Sequence, residues 1–124
     1  MSVWRRKAID CLPDLKKEFE NPGMSIYDVF IEILPAVVKA NKEKDILKLE
    51  KIYGFAEWCL QQKEKDLWNA AGVSFYGHLG DYEETLNEMP KWLKQNIYVN
   101  IRDLLEVRLQ KVEIQRLDNL YNYK

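Results

Sequence analysis

The residue types that carry most protein chemistry are scarce in this chain of 124 residues. There is one histidine, His78, and there are two cysteines, Cys11 and Cys59. A structural zinc site needs about four Cys or His ligands at short spacings, and a disulfide framework needs more cysteines than these. Both cysteines fall on apolar stripes, so they are expected as buried free thiols in a reducing compartment. No Gly-rich phosphate loop, HExxH pair or nucleophile elbow is present. No stretch alternates apolar and polar residues for long, and Asn-Gly and Asp-Gly pairs are missing, which argues against hairpin-built sheets. No apolar run approaches the roughly 20 residues that cross a bilayer, so no membrane role is expected. The opening MSVWRRKAID is basic but leads into no apolar core, unlike a secretory signal. Nineteen basic residues against twenty acidic ones give a net charge of -1. That balance lacks the positive excess of a general nucleic-acid binder.

What remains is an ordinary globular composition, 47% hydrophobic and 31% charged, long enough for one domain over residues 1–124 with its own core. The periodicity is helical throughout. Ser2 caps a first helix with Trp4, Ala8, Cys11/Leu12 and Leu15 on one face. At Pro13 the helix either bends, or stops and restarts in a second piece running to Phe19. Asn21-Pro22-Gly23 is a break. Ser25 and Asp28 form a capping-box start for a helix striped by Ile26, Val29/Phe30, Ile33/Leu34 and Val37/Val38, in which Pro35 predicts a kink or an early stop. After a polar turn at Asn41–Lys44, a helix is expected from about Asp45 to Gln62 and another from about Asp66 to Leu79. The latter presents Trp68, Ala71, Phe75 and His78/Leu79 on one face. Its small residues Ala70, Ala71, Gly72 and Ser74 predict close approach of a neighbour, expected to be the preceding helix. Gly80 reads as a stop that tolerates positive φ. A short helical turn capped by Asp81 and ended by Met89-Pro90 follows. Two last helices are expected from about Gln95 to Leu109 and from about Lys111 to Tyr121, the final one carrying Val112, Leu117 and Leu120/Tyr121. The fold class is therefore all-α: about six helices in antiparallel hairpins, as a bundle or a short helical-repeat-like stack.

The one sharp charge asymmetry is the acidic run from Asp81 to Glu88. Asp81, Glu83, Glu84 and Glu88 meet no basic residue before Lys91. Such a run suits a basic protein partner and speeds association with it. Tyr76, Tyr82 and Trp92 are the aromatic anchors an interface would use. The candidate partner-binding residues are thus Tyr76, Asp81, Tyr82, Glu83, Glu84, Glu88 and Trp92. No catalytic residue, metal ligand or cofactor is assigned. His78 is expected as a helix-end histidine at the edge of the core, since Asp81 and Cys59 lack ligand spacing. Arg5-Arg6-Lys7, balanced by Asp10 and Asp14, reads as a helix surface. Of the C-terminal tyrosines Tyr121 and Tyr123, one is expected to fold back on the core; exposure of both would imply self-association.

The blocks GFAEWC (Gly54–Cys59), KDLWNAAGVSFYGHLGD (Lys65–Asp81), MPKWLKQNIY (Met89–Tyr98) and LLEVRL (Leu104–Leu109) resemble a family of short bacterial all-helical proteins classed as a domain of unknown function. The resemblance covers most of the chain and implies a helical fold with no assigned activity. In size and character the family is similar to immunity proteins that neutralise toxins. The expectation is a cytoplasmic, non-catalytic protein-binding module, specifically an immunity protein whose partner is a basic toxin domain. The alternatives are a structural or adaptor protein acting as a homodimer and, less favoured, an enzyme using His78.

Overall fold

Ser2 opens the first helix, α1 (Val3–Cys11), by accepting a hydrogen bond from the Arg5 amide at 3.3 Å. The computed structural model describes all residues 1–124 and contains eight α-helices and no strand. The expected count of about six is corrected by two short elements, the first of which arises at Pro13. Leu12 precedes that proline and is pushed out of the helical region (φ -135°, ψ 78°). The chain stops there, makes a 3-10 turn over Pro13–Leu15 and restarts as α2 (Lys16–Phe19). Of the two outcomes left open by the sequence, the stop and restart is realised. Arg5 secures this corner. Its guanidinium donates to the carbonyls of Phe19 (2.6 Å), Asn21 (2.8 Å) and Met24 (3.0 Å), so the basic N-terminal cluster includes an internal tie.

The helix α3 (Ile26–Glu43) begins with a complete capping box. Ser25 Oγ accepts from the Asp28 amide at 3.2 Å, and Asp28 Oδ2 accepts from the Ser25 amide at 3.0 Å. Pro35 does not end it. Pro35 and Ile31, whose carbonyl loses its usual donor, both lie on the exposed face, so the freed oxygen is not sealed in the core. The helix also runs through Asn41–Glu43, expected as a turn. Reversal is left to Lys44 alone, in the left-handed region at φ 55°, and to Asp45, whose Oδ1 accepts from the Lys48 amide at 3.2 Å to start α4 (Ile46–Leu60).

The next stretch departs most from expectation. In place of one α-helix over 66–79, the winding changes twice: α5 (Lys65–Ala70), a π turn over Ala71–Phe75, and a 3-10 segment over Tyr76–Asp81. No glycine has positive φ. Gly72 and Gly80 serve close packing, and what they meet is the later helix α7 (Gln95–Arg108) and Leu109 just past its end, in place of the preceding helix expected as the neighbour. A Cβ on Gly72 would lie 3.1 Å from Leu104 Cδ1, and one on Gly80 would lie 2.7 Å from Leu109 Cδ2. Trp68, expected on the buried face, is 41% exposed, while Ala71, Phe75 and Leu79 are fully buried.

The second added element is α6 (Glu83–Trp92), a ten-residue helix where a single turn was expected. It passes through Pro90, which is exposed and sits in its last turn. The helix α8 (Lys111–Leu120) buries Ile114 and Leu117 and turns Val112 outward at 64% exposure, correcting the stripe read from sequence. Every helix contributes to one contiguous cluster of 32 buried residues. Phe75 is its aromatic hub, with ring centroids 5.7 Å from Phe30 and from Tyr53 and 5.2 Å from Tyr76.

Candidate partner-binding surface

Thr85 and Met89, four residues apart, are fully buried and fix which side of α6 faces the core. Thr85 Oγ1 donates to the carbonyls of Leu79 and Tyr82, joining the 3-10 segment to the new helix. Tyr121, folded back from the C-terminus, places its hydroxyl against the carbonyls of Met89 (3.1 Å) and Leu93 (2.9 Å), where it caps the end of α6. Its ring stacks on Tyr98 with centroids 4.2 Å apart. Tyr123 remains 37% exposed, beneath the Arg102 guanidinium. With its inner face fixed this way, α6 presents Glu83 to solvent and leaves Glu84 and Glu88 half-buried along its flanks.

The seven candidate residues divide. Tyr82 is 39% exposed and stands beside Glu83 at the start of α6. Trp92 is half-buried and stacks face to face on Tyr53 at 5.4 Å, so only part of its surface is open. Tyr76 is 1% exposed and belongs to the core, so it is not an accessible anchor. The helical period alone did not reveal this, because the π turn before Tyr76 shifts the phase of the face it occupies.

The acidic run is also less bare than its sequence. Lys42 reaches Glu84 from the end of α3 at 3.6 Å, and Lys91 pairs with Glu88 at 3.0 Å. Arg108, near the end of α7, forks onto Asp81, with Nε 2.8 Å from Oδ1 and Nη2 2.7 Å from Oδ2. His78 Nδ1 lies 2.9 Å from Asp81 Oδ2. The Arg108 hydrogen bonds, with His78 beside them, hold the Asp81 carboxyl below its ordinary range despite partial desolvation. Asp81 is therefore committed to this cluster and does not cap the following helix. Of the four acidic residues only Glu83 lacks an ion pair. Each exposed pair is worth about 0–1 kcal/mol, so a partner could displace the lysines at small cost. Lys42 and Arg108 were invisible to a reading of the run itself, because each is brought in by a distant helix.

His78 and Asp81 meet, but Cys59 does not join them. Cys59 is fully buried in α4, and burial pushes its thiol up to about 12. No group of three or more His, Cys, Asp or Glu side chains is arranged to hold a metal ion. No helix is long and apolar enough to cross a membrane.

A family model described as a domain of unknown function (DUF7674) matches residues 5–107. No curated protein and no solved structure matched the chain.

Proposed function

The chain belongs to the DUF7674 family, and we propose that it acts as a non-catalytic protein-binding module in the cytoplasm, its specific form being an immunity-type inhibitor of a basic bacterial toxin domain. The observation that carries this reading is the outer side of α6. Tyr82 and Glu83 are exposed together, flanked by Glu84 and Glu88, whose lysine partners are surface groups. An exposed aromatic ring beside carboxylates that exchange one cation for another is the chemistry of a surface that accepts basic residues. The helix beneath is pinned by Thr85, Met89 and Tyr121, so it docks without prior ordering.

The test is capture from the source cell lysate followed by native mass spectrometry, run in parallel with the wild type and a Glu83→Lys/Glu84→Lys/Glu88→Lys variant. A stoichiometric basic protein retained by the wild type and lost by the folded variant is expected. Its association rate should fall with salt for the wild type. Equal retention by both forms removes α6 from the interface.

A second reading, a homodimer, is favoured by Val99, Val107, Val112 and Leu120. These apolar residues on α7 and α8 are each at least half exposed. Sedimentation at micromolar concentration decides it. A defined dimer dispersed by Val107→Lys would move the function to self-assembly.

A further inference from the structure

A groove of about 640 Å³ lies at the opposite end of α3 from the acidic segment, where the first turns of α1 and α3 meet the end of α4 and the start of α5. Its volume is in the range of small-molecule sites. Three aromatic side chains, Trp4, Tyr27 and Trp58, line it above an apolar floor, and the only charged groups in its wall are Glu64 and Asp66. Neither carboxylate has an ion-pair partner among the chain's salt bridges. The other sizeable clefts all carry lysine or arginine in their walls; this one carries none.

The polar groups nearby are already engaged. The two N-cap serines accept from their own helices. The Tyr27 hydroxyl accepts from Asn69 Nδ2 at 2.9 Å, and Gln62 Nε2 donates to the Trp58 carbonyl at 2.9 Å. The starts of α1, α3 and α5 each bring about half a positive charge. Two full carboxylates exceed that sum, and Asp28 answers the α3 end within its capping box. Each of the two indoles already has a cation of the chain over its ring. The Arg5 guanidinium lies 4.5 Å over Trp4 and the Lys7 ammonium 5.0 Å over Trp58, both within cation–π range, although neither residue lines the groove.

We propose that this groove is a binding site for a small organic cation with an apolar body, of the arylalkylammonium class. Its ammonium group sits between Glu64, Asp66 and the indole faces, and its hydrocarbon part rests on the floor. The site is independent of α6 and does not require the protein-binding reading.

The probe is 2-phenylethylammonium, titrated into the full chain while tryptophan fluorescence and amide chemical shifts are recorded. Phenylacetate and 2-phenylethanol, of the same shape but negative and neutral, serve as controls. Saturable binding of the amine is expected, with shifts confined to the starts of α1, α3 and α5 and the end of α4, and with both controls at least about tenfold weaker. The Glu64→Gln/Asp66→Asn variant should weaken the amine about tenfold while leaving the neutral alcohol unchanged. Because both carboxylates lie at the start of the short α5, circular dichroism checks that the variant is folded; Trp58→Phe gives an independent probe of the ring contribution. Absence of saturation, binding of the anion as tight as the amine, or shifts elsewhere would overturn the proposal. Saturation by a lysine-rich hexapeptide but not by the free amine would overturn it too, and would assign the groove to a partner's basic segment.

Discussion

At the scale of single residues, the glycines separate two physical roles that look alike in sequence. Gly54 lies inside α4 on its exposed side, and a Cβ there meets nothing within 4 Å. Gly54→Ala should therefore stabilise the protein by about 0.5–1 kcal/mol, the backbone-entropy gain of alanine in a helix. A Cβ on Gly80 falls 2.7 Å from Leu109 Cδ2 and 2.9 Å from its Cγ. Gly80→Ala should cost about 1–3 kcal/mol, as the seam between the 3-10 segment and α7 is forced apart. Urea unfolding of the two variants checks both signs, and equal effects would refute the close-packing account. Composition allowed the inference that something must offset Gly72. It did not reveal that the neighbour is Leu104 on α7, because helical period identifies a face and not what covers it. Gly80 was misread as a left-handed stop for the same reason: a glycine at the end of a pattern looks the same whether it serves φ or proximity.

At the scale of elements, α8 depends most on a few polar contacts. Its Asp118 accepts a fork from Arg102, Nε at 2.8 Å and Nη2 at 2.7 Å, and a further bond from the Tyr98 hydroxyl at 2.7 Å. The Arg102 hydrogen bonds, supported by Tyr98, hold the Asp118 carboxyl below its ordinary value. A carboxyl whose folded pKa is depressed stabilises the fold above its unfolded value, about 3.9, and loses that contribution as pH falls through the folded value. The wild-type urea midpoint should therefore drop as pH falls below about 4, and α8 amides should be among the first to lose hydrogen-exchange protection. Asp118→Asn should already be less stable at neutral pH and should show a shallower acid dependence, the remainder coming from Asp81, which Arg108 depresses in the same sense. Identical slopes would refute the assignment. Elements of this kind were only half legible. The periodic stripes located α4 and α7 to within a residue or two, whereas two proline stops, the early one at Pro35 and the one at Met89-Pro90, do not occur. Pro35 and Pro90 sit on exposed faces where the helix continues past them, and only Pro13, followed by a restart, broke its helix.

At the scale of the whole molecule, the fold class and the fate of the cysteines were legible because both rest on local apolar pattern. The neighbours of the acidic run were not, because Lys42 and Arg108 arrive from other helices. The same long-range closure makes the cysteines reporters of cooperativity. Cys11 on α1 and Cys59 on α4 are 4% and 0% exposed within the one cluster that all eight helices share. Burial pushes both thiols up to about 12, so at pH 8 only about one in ten thousand is the reactive thiolate. Native protein should thus react with Ellman's reagent far more slowly than free cysteine. Added urea should accelerate both thiols together, along the curve that circular dichroism gives for global unfolding. Cys11→Ser and Cys59→Ser variants, labelled separately, resolve the two sites. Should Cys11 label well before the ellipticity falls, α1 leaves the bundle on its own. Matched curves would mean that α1 and α4 open only when the shared core opens, so the aromatic groove between their ends exists only in the fully folded protein.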